Sequence, residues 1–247
     1  MDNDDPTGVT VSNHDILSEH ADISNERRIV VAIDGPSGVG KSTLSKALAR
    51  RLGYLHIDSG AVYRAVALKS INAGVYLNDE SGVASIVRDS DIRLEGDSDN
   101  SKILVDGCDV TTEIRSADVS RASSVVATLA SVREAVVDKL REMSCKGGVV
   151  MEGRDIGTKV FPNAPVKLFL DANPAVRARR RWLEERHRGR DVTLEEIAAE
   201  LEDRDRRDRE REATPLVKAP DAILLDTSDL DLDSVIERAL KIVKART

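Results

Sequence analysis

Gly35-Pro36-Ser37-Gly38-Val39-Gly40-Lys41-Ser42 is the stretch of this 247-residue sequence that indicates its fold, because it contains every part of a P-loop. The glycines let backbone N–H groups close on a β-phosphate, the lysine reaches the β- and γ-phosphates, and the serine hydroxyl is a ligand for Mg²⁺. A β-branched run at residues 29–33 predicts the preceding strand, and residues 43–52, which begin with Thr43, predict the following helix. The alternative, a chance glycine-rich turn, does not account for both flanks. We therefore expect the loop and Thr43 to bind a nucleoside triphosphate.

The P-loop alone fits either ATP or GTP, so other segments must decide between them. GTPases usually read guanine through an Asn-Lys-x-Asp run, and the sequence contains none. The choice narrows to enzymes that use ATP with Mg²⁺.

The rest of the chain alternates short apolar runs with longer amphipathic stretches, which predicts an α/β fold with a parallel sheet and crossover helices. The predicted strands are residues 29–33, 54–57, 149–152, 166–170 and 222–226. Residues 91–110 instead predict a small antiparallel meander with turns at 96–101 and 106–107, flanked by helices at 79–89 and 115–144. We interpret this region as an insertion.

Composition excludes several classes of protein. Aromatic residues make up 2 % of the chain and the net charge is −7, which disfavours both base stacking and neutralisation of a nucleic-acid backbone. No apolar run has the length of a membrane span, and no secretion signal is evident. Cys108 and Cys145 have neither metal-site nor redox-motif spacing. We expect a cytoplasmic monomer that binds neither nucleic acid nor membranes, with residues 1–27 as a disordered acidic tail.

Two segments follow predicted strands and should lie at the carboxyl edge of the sheet, where such folds bind ligands. The first is Asp58-Ser59-Gly60-Ala61-Val62-Tyr63-Arg64, for which a plain helix cap by Ser59 with a solvated Arg64 is a rival interpretation. The second is Glu152-Gly153-Arg154-Asp155, which a surface turn would also explain. Glu152 ends its strand as a Walker B acid does, and such an acid holds Mg²⁺ directly or through water.

A charged helical pattern spans residues 177–212, is interrupted near Gly189, and restarts with a capping box formed by Thr193 and Glu196. Pairs at i,i+4 such as Asp205 with Arg209 favour a solvated, self-paired helix. At about 100° per residue, however, one stripe holds three arginines and a single acid. This stripe consists of Arg204, Arg207, Asp208 and Arg211. An under-neutralised arginine face ahead of Pro215 indicates a mobile lid for phosphoryl transfer.

With these segments in order, the chain from about residue 29 onward resembles bacterial cytidylate kinases. The matching segments are DSGAVYR at 58–64, GRDIGT at 153–158 and RDRRDRER-x-ATPLV at 204–217. The resemblance implies a P-loop nucleoside monophosphate kinase domain over residues 28–247. It would have a five-stranded parallel sheet with helices on both faces, a small inserted α+β NMP-binding domain at about 79–144 and a lid at about 186–215. It also implies transfer of the ATP γ-phosphoryl group to CMP or dCMP, giving ADP and CDP or dCDP.

The resemblance also implies roles for individual residues. Those around the acceptor and its phosphate would be Ser59, Tyr63, Arg64, Arg154 and Arg211. Those that read the cytosine edge would be Ser124, Arg133 and Asp155, and those near its ribose Arg204 and Asp208. The chain departs from the family pattern at Glu152, where relatives often have Asp, and at Ser42, where some have Gly.

An acceptor phosphate is already ionised at neutral pH, so catalysis should depend on positioning and charge neutralisation rather than on a general base. We expect Lys41 and Mg²⁺, held by Ser42 and Glu152, to neutralise the donor phosphates. Arg154 and Arg64 would hold the acceptor, and Arg207 and Arg211 would meet the transferred group. The four histidines then need no catalytic role, and we expect them in the tail or on the surface. Two rivals remain open: a P-loop kinase acting on UMP, dTMP or shikimate, and an ATP-binding regulatory module without turnover.

Overall fold

The structure is a computed structural model that describes residues 28–96 and 100–246. The acidic tail predicted at residues 1–27 lies outside this part of the chain. Five parallel strands form the main sheet in the order β2-β6-β1-β7-β8. They are β1 (Val30–Asp34), β2 (Leu55–Asp58), β6 (Val149–Gly153), β7 (Val166–Asp171) and β8 (Ile223–Asp226). The five predicted strands and their parallel pairing are confirmed.

Helices cover both faces of this sheet because its strands are apolar on both sides. Val31 and Ile33 of β1 pack with α1 (Lys41–Leu52) and α8 (Leu232–Lys244). Ala32, which points to the opposite face, belongs to a second core built with helices α2 to α5. These are α2 (Ser59–Asn72), α3 (Glu80–Asp89), α4 (Ala117–Val126) and α5 (Ala130–Met143). The insertion therefore shares a hydrophobic core with the sheet.

The predicted meander is confirmed as an antiparallel three-stranded sheet. Its strands are β3 (Ile92–Glu95), β4 (Lys102–Val105) and β5 (Cys108–Asp109). Asp106 and Gly107 both have positive φ, 50° and 82°, as a two-residue hairpin turn requires. The division of the chain into an inserted domain and a lid remains a prediction.

The charged region folds into α6 (Pro174–His187) and α7 (Leu194–Glu210), and Thr193 and Glu196 form the predicted capping box. These helices pack on each other through Ala178, Ile197 and Leu201. Helix α7 ends at Glu210, but the backbone N–H of Arg211 still donates to the carbonyl oxygen of Arg207 at 3.2 Å, so Arg211 keeps the position that the helical period predicts. Its ψ of 135° then directs the following residues away from the helix axis. Within the described ranges, no helix is both long and apolar enough to cross a membrane.

Candidate active site

The P-loop connects β1 to α1 and approaches the neighbouring strand β7 closely. At Gly35, where φ is 149°, a Cβ atom would lie 2.2 Å from the carbonyl oxygen of Leu170, so only glycine fits. Helix α1 begins at Lys41 directly after Gly40, which has left-handed φ and ψ. The loop therefore presents the N-terminus of α1 as a site for anions.

Lys41 is buried at the mouth of this loop. Its Nζ atom donates to the carbonyl oxygens of Gly35 (2.9 Å) and Pro36 (2.6 Å). Burial, followed by the charge of Arg154, lowers the pKa of Lys41 to about 7. Burial of the charged ammonium group removes its hydration and is unfavourable. A bound anion would offset this loss and favour the charged form of Lys41.

Glu152 lies on β6 beside Ile33 of β1, so its carboxylate is adjacent to the P-loop. Its Oε2 atom accepts a hydrogen bond of 2.8 Å from the Ser42 hydroxyl. The two residues predicted to hold Mg²⁺ therefore lie together. Hydroxyl and carboxylate oxygens are the hard ligands that Mg²⁺ prefers, and this pair fits the ion together with phosphate oxygens. In the described ranges, no group of three His, Cys, Asp or Glu side chains is suited to a metal.

His56 was expected in the tail or on the surface, and that expectation was wrong. The side chain is buried in β2, and its Nε2 atom lies 3.0 Å from Oε1 of Glu152. The same Oε1 atom lies 3.1 Å from the Ser45 hydroxyl. His56 lies inside the strand predicted at residues 54–57, and this position indicated burial. The expectation of a surface site followed only from the residue type.

Ser59 and Arg64 lie at the start of α2, next to the end of β6. The Ser59 hydroxyl donates to the backbone carbonyl oxygen of Glu152 at 2.8 Å, which excludes the interpretation as a plain helix cap. Arg64 donates to Oδ2 of Asp58 at 2.8 Å. Burial would raise the pKa of Asp58, but the charge and hydrogen bond of Arg64 outweigh it and lower that pKa.

Asp155 and Arg133 form a buried ion pair between the loop after β6 and helix α5. The guanidinium of Arg133 also donates to the carbonyl oxygen of Ala127 (2.9 Å) and lies 5.5 Å from the ring centroid of Tyr63. Burial raises the pKa of the Tyr63 phenol to about 12. Ser124, the third residue of the predicted base-reading group, donates to the Ser120 carbonyl oxygen within α4 at 3.3 Å.

Arg154 connects the loop after β6 to helix α7, because its Nε atom donates to Oδ2 of Asp208 at 2.7 Å. Arg211 lies 3.7 Å from the same carboxylate and donates from Nε to the carbonyl oxygen of Thr214 at 2.7 Å. One of its terminal nitrogens, Nη2, is buried without a hydrogen-bond partner among the described residues. Burial, together with the charge of Arg154, lowers the pKa of Arg204 to about 10.

We use the name acceptor cluster for Arg64, Arg154, Arg204, Asp208 and Arg211. The structure does not bring Arg207 to this cluster. Its side chain is exposed and its Nε atom donates to the carbonyl oxygen of Asp203 in its own helix, at 3.2 Å. The cluster has four arginines and one aspartate, and with the ionised Asp58 beside Arg64 it is still cationic, as binding of a second phosphate group requires.

Sequence reasoning missed three buried charged residues beside the P-loop: Asp34, Arg177 and Asp205. Asp34 accepts backbone N–H bonds of 2.8 Å from both Ile156 and Gly157, and so joins the end of β1 to the loop that follows Arg154. Burial raises the pKa of Asp34 to about 6. Arg177 and Asp205 pair with each other, whereas the sequence pattern favoured a surface pair of Asp205 with Arg209.

Comparison with known proteins places this geometry in a family. The family model described as "Cytidylate kinase" matches residues 31–245. Among curated relatives, "Cytidylate kinase" of Geobacter sp. (strain M21) is 46 % identical over 224 residues, covering 91 % of this chain and 96 % of that protein. "Cytidylate kinase" of Geobacillus kaustophilus (strain HTA426) is 48 % identical over 221 residues, covering 90 % and 99 %.

A solved structure shares the fold at low sequence identity. It is an uncharacterized protein from Eubacterium ventriosum ATCC 27560, with a TM-score of 0.52 and 13 % identity, covering 89 % of this chain and 100 % of the other.

Proposed function

Since this chain belongs to the cytidylate kinase family, we propose that its P-loop edge transfers the γ-phosphoryl group of ATP to CMP or dCMP, giving ADP and CDP or dCDP. The observation that supports this most directly is the presence of two cationic sites on adjacent strands. The P-loop follows β1, and the loop with Arg154 and Asp155 follows β6, which pairs with β1 from Val30 to Asp34.

The donor half is the P-loop, residues 35–42, with Thr43 at the start of α1. Its backbone N–H groups and Lys41 would bind the β- and γ-phosphates. Ser42 and Glu152 would hold Mg²⁺, which supplies charge neutralisation on those phosphates when it is bound. Lys41 and Glu152 are buried, which strengthens their charge interactions because little water is present to screen them.

The acceptor half is the acceptor cluster together with Ser59 and Tyr63. Arg64 and Arg154 would hold the monophosphate, and Arg204, Asp208 and Arg211 would approach from the lid side. The nucleophile is a phosphate oxygen that is already ionised, so no side chain has to remove a proton. Alignment of the two phosphate groups and neutralisation of the charge between them would supply the rate enhancement.

Discrimination of the base is assigned to Asp155, Arg133 and Ser124. Arg133 donates hydrogen bonds, and Asp155 as a carboxylate accepts them. A cytosine edge offers an amino donor beside ring-nitrogen and carbonyl acceptors. A buried charged pair of opposite hydrogen-bonding character is suited to read that edge. The structural support for Ser124 is weaker, since its hydroxyl bonds within α4.

The rivals make different demands. A regulatory ATP-binding module needs the donor half only, whereas this chain also has a cationic acceptor cluster next to it. A kinase for UMP, dTMP or shikimate would need the same donor half with another acceptor pocket.

The exposed thiols of Cys108 and Cys145 are unpaired, which supports the proposed cytoplasmic location. The proposed monomeric state can be tested by light scattering.

An ADP-release assay across CMP, dCMP, UMP, dTMP and shikimate tests the proposal. We expect the highest kcat/KM with CMP or dCMP and little ADP release without an acceptor. Preference for another acceptor would reject the cytidylate assignment, and ATP binding without any ADP release would favour the regulatory module.

A further inference from the structure

Arg177 of α6 and Asp205 of α7 form an ion pair beside the P-loop that the mechanism above does not use. The two residues are 5 % and 3 % exposed, although most charged side chains of these helices face solvent. Arg177 is fixed further by a hydrogen bond of 3.1 Å from its Nε atom to the carbonyl oxygen of Ala172. The pair is therefore buried and well oriented between α6 and α7.

The pair contacts the P-loop through both backbone polar groups of Ser37. The Ser37 N–H donates to Oδ1 of Asp205 at 3.2 Å, and the Ser37 carbonyl oxygen accepts from Nη1 of Arg177 at 3.1 Å. The other carboxylate oxygen of Asp205 accepts from the same guanidinium. Asp205, Arg177 and Ser37 thus form a closed ring of hydrogen bonds between the lid and the donor loop.

The same turn of α7 also contributes to the acceptor cluster. Arg204 directly precedes Asp205, and Asp208, which bonds Arg154 at 2.7 Å, lies three residues later. Since α7 is a continuous helix from Leu194 to Glu210, fixing Asp205 on the P-loop also fixes the positions of Arg204 and Asp208. Donor loop and acceptor cluster are joined here by one rigid element.

We propose that Arg177 and Asp205 are positioning residues that couple the two nucleotide sites. They fix helix α7 relative to Ser37 of the P-loop. When the P-loop binds the donor phosphates, Arg204 and Asp208 on α7 are therefore held in position for the acceptor. The proposal rests on the proposed kinase function and adds two residues to its machinery.

A purely structural role is the alternative, and energetics separate the two. Replacing a buried ion pair with apolar residues of similar volume is often neutral or stabilising, whereas removing one partner leaves a costly unpaired charge. The double variant Arg177→Met/Asp205→Leu is therefore expected to fold, while its hydrogen bonds to Ser37 are lost. The matched control is Arg206→Met/Asp203→Leu, which replaces an exposed pair on α7 by the same residue types.

The experiment measures the dissociation constant of CMP by calorimetry, with and without saturating Mg²⁺ and the non-hydrolysable ATP analogue AMP-PNP. Coupling between two sites is the ratio of the two constants, typically roughly 5- to 150-fold. We expect a ratio in this range for the unmodified protein and the control. For Arg177→Met/Asp205→Leu we expect a ratio near one, with each nucleotide still bound alone and thermal unfolding still cooperative.

A ratio in the Arg177→Met/Asp205→Leu variant equal to that of the control would overturn the inference, as would the absence of coupling in the unmodified protein. Asp205→Asn provides a second check, because its amide retains part of the contact with Arg177 and should give an intermediate ratio. Failure of the kinase proposal itself would appear separately, as a lack of ADP release with CMP in the unmodified enzyme.

Discussion

The Nε2 atom of His56 lies 3.0 Å from Oε1 of Glu152, while Oε2 of the same carboxylate accepts the Ser42 hydroxyl at 2.8 Å. The two carboxylate oxygens of Glu152 therefore have different partners. One is fixed by a ring nitrogen from β2, which leaves the other directed at the P-loop. This arrangement orients the Glu152 carboxylate toward Ser42 at the start of α1.

His56→Phe should weaken Mg²⁺ binding without changing the affinity for CMP. Removing the partner that orients a metal-binding side chain typically lowers metal affinity by roughly 10- to 100-fold. The measurement is the Mg²⁺ concentration needed to raise the melting temperature in the presence of ADP, alongside the Mg²⁺ dependence of turnover. His187→Phe is the control, because His187 is exposed at the end of α6. An unchanged Mg²⁺ requirement in His56→Phe would show that the contact is only structural.

Lys41→Met should abolish most turnover and leave the fold intact. A preorganised charge at a developing anion is worth roughly 10²- to 10³-fold in kcat. Burial of Lys41 lowers its pKa to about 7, so the charge is held at a cost, and an apolar replacement should not reduce the melting temperature. Lys46→Met on the same helix is the control and should retain activity. Turnover within a few-fold of the unmodified enzyme would refute the role of Lys41.

Asp155→Asn should lower the affinity for CMP far more than the affinity for ATP. The buried pair with Arg133 would lose its negative member, and charge-assisted hydrogen bonds contribute about 1.5–3 kcal/mol, which corresponds to at least roughly tenfold in affinity. Titration calorimetry with each nucleotide measures the two effects. Asp138→Asn, an exposed change on α5, should alter neither constant. Equal weakening of both nucleotides would mean that Asp155 does not act on the acceptor.

Asp34 should make stability depend on pH. Its pKa is raised from an ordinary value of 3.8 to about 6, so the folded state binds the proton more tightly than the unfolded chain. The unfolding free energy should then fall as pH rises through this interval. Between about pH 4.5 and about pH 7, the loss should be about 2 kcal/mol relative to Asp34→Asn, measured by urea unfolding of both proteins. If the unfolding free energy of the unmodified protein minus that of Asp34→Asn stays constant or rises with pH, the assignment is contradicted.

The sequence predicted the sheet well because each strand is a short apolar run and the P-loop fixes one end of the first. The proximity of Ser42 and Glu152 was predictable for the same reason. Glu152 lies near the end of one parallel strand, and Ser42 belongs to the P-loop that follows the neighbouring strand. The insertion's turn at Asp106-Gly107 was equally readable, because two residues with positive φ leave few choices of side chain.

Long-range pairs of charges were not predictable. Local spacing favoured an i,i+4 pair of Asp205 with Arg209, but Asp205 pairs with Arg177 on another helix. A segment in which acids and arginines alternate offers many local partners of similar energy, and only packing against the P-loop selects among them. Helical periodicity grouped Arg211 with Asp208, which lie 3.7 Å apart, but it also put Arg207 on the same stripe, and that side chain is exposed.

The sheet order has a consequence for how the chain folds. Val30 of the central strand pairs with Val149 on one side, and Val31 pairs with Val166 on the other. Among the described strands, the one that carries the P-loop is therefore synthesised before both of its partners, which follow only after the whole insertion. At roughly 5–20 residues per second this wait is on the order of ten seconds. During this wait the apolar segment at residues 29–33 lacks its sheet partners, and we expect it to be a segment of the nascent chain that chaperones protect.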